Sequence, residues 1–246
     1  HSTSRRQRQM CIRDRAITDA NNAGAGPHDI FCLVTGTVFL ATDLPNITAS
    51  MNIYGSGATS FIVYGGSHRF IPNTTSGITL TIRDLTLCNG TISSWLIKIS
   101  NGVTFTMYQC IYSNNSVSGG SSGIYCQAGT MTFSYCTISD NTNADISTAA
   151  IISTGGNLTM NNCTINNNVS NHAVNGGYGG ALRISNGTTN ITNCTFANYR
   201  SNYGGAIYMS GGTSVVTITN CTFYVNIATA SGGAFYANAP PFVTLN

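Results

Sequence analysis

The chain has 246 residues, of which 7% are charged, and a formal net charge of +3. Five of its ten basic residues lie within residues 1–15, so the remainder carries no basic excess. This balance excludes nucleic acid as a partner class, because contacts with phosphates dominate that kind of binding. The sequence also lacks a run of about 18 apolar residues, so we expect no transmembrane helix.

Residues 1–15 are predicted to be a non-native tail. Their arginine-rich string looks like a translated sequencing adaptor, and a native basic tail is the alternative. No signal peptide is visible at this end of the chain.

A phrase of about 27 residues then recurs along the chain with its apolar side chains in register. In one copy, the apolar pairs Leu158/Met160 and Cys163/Ile165 are out of phase, so a bend is predicted at Asn161-Asn162. Such a period with alternating apolar residues predicts an all-β solenoid of about seven stacked coils.

Turn residues mark the other corners of each coil. Asn166–Asn168 is predicted to close one corner, because Asn tolerates left-handed backbone geometry. Glycine pairs such as Gly204-Gly205 are predicted to open the third side. The insertion Val169–Tyr178 is predicted to project as a loop from one edge. The last coil stops at Asn246, so we expect a truncated C-terminus and a fragment of a longer protein.

Two motifs carry a resemblance to a known family. Gly204-Gly205-Ala206-Ile207 and Phe223-Tyr224-Val225-Asn226 resemble the repeats of polymorphic outer-membrane proteins, with Tyr199 standing where that pattern has Asn. The resemblance implies a right-handed, single-stranded parallel β-helix over residues 16–246. It also implies an entry module at residues 16–77 and regular coils at 78–246.

Within the entry module, the resemblance implies that Ala16–Asn21 is the end of a short capping helix. It places the first strands at Gly36–Leu40, Leu44–Ile47 and Ile53–Ala58. For function, it implies a secreted, adhesin-like protein that is extracellular or associated with an outer membrane.

Five cysteines occupy one repeat position and are predicted to stack as an interior column: Cys110, Cys136, Cys163, Cys194 and Cys221. We interpret them as small buried hydrophobes with free thiols. Disulfides between coils are the first alternative. A metal site is disfavoured, because no C-x₂₋₄-C pair is present. Cys32, Cys88 and Cys126 lie off the column.

Asparagines at the bend, Asn162, Asn193 and Asn220, are predicted to form a ladder of stacked amides. The repeat also generates many Asn-x-Ser/Thr sequons. Glycosylation of loop asparagines is an option in a secreted eukaryotic protein, whereas the bend residue Asn193 is expected to be poorly accessible. The sequons singled out are those at Asn46, Asn73, Asn157, Asn168 and Asn186.

The sequence predicts no catalytic, cofactor-binding or metal-binding residue. Glycoside hydrolysis needs two carboxylates at a fixed separation, and no two of the acids occupy neighbouring repeat positions. Those acids are Asp19, Asp29, Asp43, Asp84, Asp140 and Asp145. Arg83 and Asp84 are read as a surface pair, and His68 and His172 as solvated loop residues. Gly176–Ala181 resembles the start of a calcium repeat, but Ala181 replaces the Asp ligand.

Threonines recur at two outward positions, one file including Thr81, Thr106, Thr132 and Thr159, the other Thr137, Thr164, Thr195 and Thr222. A flat threonine array would suit ice binding, but these two files lie on different sides of the bend and Asn190 interrupts the first. Ordinary β-propensity is the simpler interpretation.

These observations predict a non-catalytic structural or adhesive segment of a secreted or cell-surface protein. A glycan or a host-cell surface is the expected partner, and the segment is expected to be a monomer. The candidate binding residues are the Val169–Tyr178 insertion, Tyr199 and Tyr203. A fragment of a polysaccharide-active enzyme, either pectate-lyase-like or a glycosidase, is the alternative. An ice-binding solenoid is a minor alternative.

Overall fold

The protein is a parallel β-solenoid of about seven turns with one short helix, residues 14–23, near its N-terminus. This architecture confirms the fold predicted from the repeat. The computed structural model describes residues 14–119, 122–144, 150–170, 177–238 and 242–246.

The first sheet has nine parallel strands, which lie side by side in chain order. Their pairing shows no register shift, because the same repeat positions alternate inward and outward in every coil. The strands are His28–Phe31, Met51–Tyr54, Thr79–Arg83, Thr104–Tyr108, Thr130–Ser134, Asn157–Asn161, Thr188–Thr192, Val215–Thr219 and Phe242–Leu245.

The second sheet has eleven strands. Eight follow the coils in order: Gly36–Phe39, Phe61–Gly66, Thr86–Ile92, Ile111–Ser113, Thr137–Ser139, Thr164–Asn166, Thr195–Tyr203 and Thr222–Ser231. Three short strands form a side ladder beside them: Ser116–Val117, Thr142–Asn143 and Val169–Ser170.

The third sheet has six strands and closes the coil. They are Ile97–Ile99, Ile124–Gln127, Ile151–Thr154, Leu182–Ser185, Ile207–Ser210 and Phe235–Ala237. In the entry module, a strand forms at 36–39 as expected, whereas the strand expected at Ile53–Ala58 lies earlier, at Met51–Tyr54. Leu44–Ile47 contributes only an isolated bridge from Ile47 to Thr74.

Left-handed residues turn the chain at the corners, as the sequence predicted. Asn162 has a φ of 53° at the bend between the first and second sheets, and Asn167 has a φ of 52° at the next corner. Gly204 turns the chain into the third sheet with a φ of 61°. Asn and Gly suit these positions because they tolerate positive φ at low cost.

Apolar side chains from all three sheets fill the interior. The cysteine column is part of this core, with Cys136, Cys163 and Cys194 almost fully buried. The backbone N–H of Cys163 donates to Cys194 Sγ at 3.4 Å, so adjacent members of the column lie one above the other. The prediction of a stacked cysteine column is therefore confirmed.

A buried ladder of amides runs beside the core, and we call Asn115, Asn141 and Asn168 the amide ladder. Asn115 Nδ2 donates to Asn141 Oδ1 at 3.0 Å, and Asn141 Nδ2 donates to Asn168 Oδ1 at 2.7 Å. Asn168 Nδ2 then donates to Tyr199 Oη at 2.9 Å. A buried network of this kind is stabilising because every link satisfies a desolvated polar group.

The ladder predicted from the sequence is a different one. Asn162, Asn193 and Asn220 do stack at the bend, but their side chains are exposed. Asn193 Nδ2 donates to Asn162 Oδ1 at 3.3 Å. These amides face water, so the stabilising asparagines are those of the amide ladder, each of which lies three residues after an inward Tyr or Ile.

Candidate binding surfaces on the outer faces

One end of the first-sheet strands brings aromatic side chains and an arginine together, although each comes from a different coil. Phe31 pairs with Tyr54, Tyr54 with Arg83, and Arg83 with Tyr108 in the parallel register. Tyr135 follows at the next corner. We call Phe31, Tyr54, Arg83, Tyr108 and Tyr135 the arginine–tyrosine strip.

The side chains of the strip stack along the solenoid axis. The rings of Phe31 and Tyr54 are parallel within 12°, with centroids 4.8 Å apart. The Arg83 guanidinium carbon lies 5.8 Å from the Tyr54 centroid and 5.0 Å from that of Tyr108, within cation–π range. Tyr108 and Tyr135 meet edge to face at 5.6 Å. The strip thus forms a continuous aromatic and cationic surface.

The two ends of the strip face solvent. The residue exposure of Phe31 is 61% and that of Tyr135 is 55%. Exposed, preorganised rings of this size are typical of recognition surfaces, since they gain much contact area without ordering long flexible chains.

Two carboxylates set the charge of the strip. Arg83 Nε donates to Asp84 Oδ2 at 2.7 Å, and this hydrogen bond raises the pKa of Arg83. Tyr54 Oη donates to Asp29 Oδ1 at 3.3 Å. Desolvation, followed by the negative charge of Asp29, raises the pKa of Tyr54. The strip therefore presents a guanidinium held in place by Asp84 between aromatic rings.

A second aromatic group lies on the outer face of the third sheet. Tyr178 stacks on Tyr203 at 5.9 Å, and Tyr208 stacks on Tyr236 at 5.6 Å. Arg183 lies 5.4 Å from the Tyr178 centroid and 5.8 Å from that of Tyr208. Most ring faces in this tyrosine cluster are covered by neighbouring rings, and Tyr208 is only 5% exposed.

The residues proposed for binding from the sequence differ in how exposed they are in the structure. Tyr203 is half-buried in the tyrosine cluster. Tyr199 is only 1% exposed, so its prediction as an exposed binding residue is wrong. It occupies the inward position that continues the amide ladder, and burial raises the pKa of its hydroxyl well above the usual value. Of the Val169–Tyr178 insertion, residues 171–176 lie outside the described part.

The described acids have separate partners. Arg69 Nη1 lies 2.8 Å from Asp43 Oδ2, and the Arg69 backbone N–H donates to Asp43 Oδ1 at 2.8 Å. His68 is half-buried, with Nδ1 3.7 Å from the same carboxylate. Asn167 Nδ2 donates to Asp140 Oδ1 at 3.2 Å at the second corner.

The remaining acids and the second loop histidine, His172, are either in surface ion pairs or outside the described residues. Arg15 lies 3.6 Å from Asp19 within the N-terminal helix. The Arg83–Asp84 pair is partly exposed and contributes at most about 1 kcal/mol, as expected for a surface pair. Asp145 and His172 lie outside the described residues.

All eight described cysteines are free thiols, and most of them are buried. Burial raises the pKa of Cys110 to about 12 and that of Cys126 to about 11. Thiols of this kind are protonated at neutral pH and unreactive.

The candidate calcium position offers a methyl group in place of a ligand. Ala181 is 1% exposed and packs in the core. Across the described residues, no three His, Cys, Asp or Glu side chains come together as a metal site would require. Gly176, the start of the calcium-like motif, lies outside the described part.

The sequons fall into two structural classes. Asn193 is exposed at the bend, so its predicted poor accessibility is wrong. Asn168 is fully buried within the amide ladder, where a glycan would have no space. Four other sequon asparagines are exposed: Asn46, Asn73, Asn157 and Asn186.

Sequence reasoning missed the arginine–tyrosine strip because no local motif defines it. Its members differ in type and are separated by about one coil each. Aligning the last residue of each first-sheet strand would have placed Phe31, Tyr54, Arg83 and Tyr108 in one file. This alignment was the available signal.

The fold and these outer faces define the chain as a parallel β-solenoid repeat protein. No protein-family model, curated protein or solved structure matches its sequence or fold significantly. In the described part of the chain, no helix has the length and apolar character needed to cross a membrane.

Proposed function

We propose that this chain is a structural and adhesive segment of a secreted or surface-displayed protein, and that it binds glycans along the arginine–tyrosine strip. The observation that carries the proposal is the axial stack in which Arg83 lies between the rings of Tyr54 and Tyr108. The resemblance to repeats of polymorphic outer-membrane proteins supports an extracellular setting by analogy.

The chemistry of the strip suits a sugar chain. Aromatic rings pack against the apolar C–H faces of pyranoses, and a guanidinium donates fixed hydrogen bonds to hydroxyl or carboxylate oxygens. The strip presents one side chain per coil at a rise of about 4.8 Å, comparable to the length of one sugar residue. A linear polysaccharide lying along the axis would therefore contact successive members.

The experiment is a binding screen of the chain against immobilised neutral and acidic polysaccharides. For a glycan that binds, Tyr108→Ala should weaken affinity about fivefold to tenfold, because one ring and one cation–π partner are lost. Tyr224→Ala is the matched control, since Tyr224 is 64% exposed on the second sheet and distant from the strip.

Far-UV circular dichroism and the unfolding midpoint verify that both variants keep the fold. Binding that falls in Tyr108→Ala and persists in Tyr224→Ala supports the proposal. If wild-type protein binds no polysaccharide, or if both variants bind like wild type, the strip is not a glycan site.

The polysaccharide-active alternative has no supporting observation among the described residues. Asp29 and Asp84 both border the strip, but Asp29 lies within the strand His28–Phe31, whereas Asp84 follows the strand Thr79–Arg83 two coils later. Asp84 is engaged by Arg83, and Asp29 accepts hydrogen bonds from Asn52 and Tyr54. We therefore propose that the strip binds a ligand and does not catalyse a reaction.

A further inference from the structure

The outer face of the first sheet carries two parallel files made mostly of threonine side chains. They are not the two files expected from the sequence, of which one lies on the second sheet. One file is formed by Thr79, Thr104, Thr130, Asn157 and Thr188. The other, two residues further along each strand, is formed by Thr81, Thr106, Thr132, Thr159, Asn190 and Thr217. We call these two files together the threonine array.

The array has a regular two-dimensional spacing. Neighbouring coils are separated by about 4.8 Å, and residues two apart along a strand by about 6.7 Å. The residues between the files, such as Leu80, Phe105 and Met131, are fully buried and anchor each strand to the core. Because Thr is branched at Cβ, its χ1 is restricted and its methyl and hydroxyl groups repeat in the same arrangement.

The hydroxyl groups of the array are available to water. Thr79 and Thr104 are exposed, and Thr81, Thr106 and Thr132 are partly exposed. None of the threonine hydroxyls in the two files bonds to another described residue. The files contain no charged side chain, so no strongly hydrated ion disturbs the water above them.

We propose that the threonine array orders water and binds ice. The two spacings are close to those between rows of oxygen atoms on the prism faces of ice. Hydroxyls at these spacings would hydrogen-bond to lattice waters, while the methyl groups favour the cage-like water that joins the protein surface to the crystal. The objection that the files lie on different sides of the bend does not apply to this pair, and Asn157 and Asn190 each replace one threonine in it.

The test uses the full chain and measures thermal hysteresis, the gap between the melting and freezing temperatures of an ice crystal in the protein solution. Wild-type protein should produce hysteresis and shape the crystal. Thr132→Tyr should abolish most of this activity, because a large ring at the centre of the array lifts the surface off the lattice. Thr106→Lys places a charge in the array and should have the same effect.

Thr164→Tyr is the matched control. Thr164 is an exposed, outward strand residue in the coil that follows that of Thr132, but it lies on the second sheet. Its hysteresis should equal that of wild type. Circular dichroism and unfolding midpoints identify any variant that fails to fold, and the lysine variant then supplies the comparison.

The proposal is overturned if wild-type protein neither shapes ice nor shows hysteresis, or if Thr164→Tyr loses as much activity as the array variants. This outcome is independent of the glycan proposal, because Tyr108→Ala should leave hysteresis unchanged and Thr132→Tyr should leave polysaccharide binding unchanged.

Discussion

Replacing Asn141 by Ala tests whether the amide ladder holds neighbouring coils together. Asn141 is 1% exposed and lies at the centre of the ladder. Its Oδ1 accepts from the Asn115 backbone N–H and from Asn115 Nδ2, each at 3.0 Å. Its Nδ2 donates to Tyr112 O at 3.1 Å and to Asn168 Oδ1 at 2.7 Å. The substitution removes all four hydrogen bonds.

The cost follows from which groups keep another partner. Asn168 Oδ1 still accepts from the backbone N–H at position 141, and Asn115 Nδ2 still reaches Leu87 O at 3.4 Å. The Asn115 backbone N–H loses its partner in a buried site. One such orphan costs about 1–3 kcal/mol, and the weakened links add to it. We expect the free energy of unfolding to fall by about 2–4 kcal/mol.

Urea unfolding followed by circular dichroism measures the change, with hydrogen exchange of the Asn115 amide as a local readout. Asn190→Ala is the control, because Asn190 is exposed on a strand, and its loss should change stability by no more than about 0.5 kcal/mol. If Asn141→Ala destabilises the protein no more than the control, the ladder does not stabilise the coils as argued.

Three further predictions follow from the geometry. Val225 has a left-handed φ of 50° and is half exposed, so Val225→Asn should raise the free energy of unfolding by about 1 kcal/mol in urea titrations. Hydrogen bonding with Cys136 and burial raise the pKa of Cys163 to about 12, so iodoacetamide at neutral pH should label half-buried Cys221 before Cys163, as mass spectrometry would show. Burial raises the pKa of Asp43, but the hydrogen bonds and the charge of Arg69 outweigh burial, so the net pKa is lowered from 3.8. The stability that this carboxylate contributes is therefore present above pH 3.8 and is lost as the pH falls through the folded pKa. Asp43→Asn should cost less than about 1 kcal/mol at neutral pH, and its difference from wild type should shrink in acid unfolding curves as the pH falls below 3.8.

Local chemistry made the coil predictable. The phase change at Asn161-Asn162 and the glycine pair at Gly204 each require a particular backbone geometry, and the structure places positive φ values at Asn162 and Gly204. Period and alternation then fix which side chains enter the core. Features of this kind depend on a few consecutive residues, so the sequence contains the whole signal.

The sequence predicts the wrong burial for side chains that follow a left-handed residue, because that residue shifts the alternation of inward and outward positions by one. Phe196 points inward and Ala197 outward, so simple alternation would make the next residue inward. Asn198 has a φ of 61°, which delays the inward position to Tyr199. The same shift buries Asn168 after the left-handed Asn167. Corner geometry thus decides burial there, and alternation alone does not.

The first-sheet face shows why its two proposed sites can be separated by mutation. The file that holds Arg83 and Tyr108 in the early coils continues as Ser134, Asn161 and Thr192 in the later ones. Aromatic and charged chemistry is therefore confined to one end, while the uncharged threonine array extends beyond it. Substitutions in the later coils act on the array alone. A loss of polysaccharide binding from a later-coil substitution that keeps the fold would contradict this division.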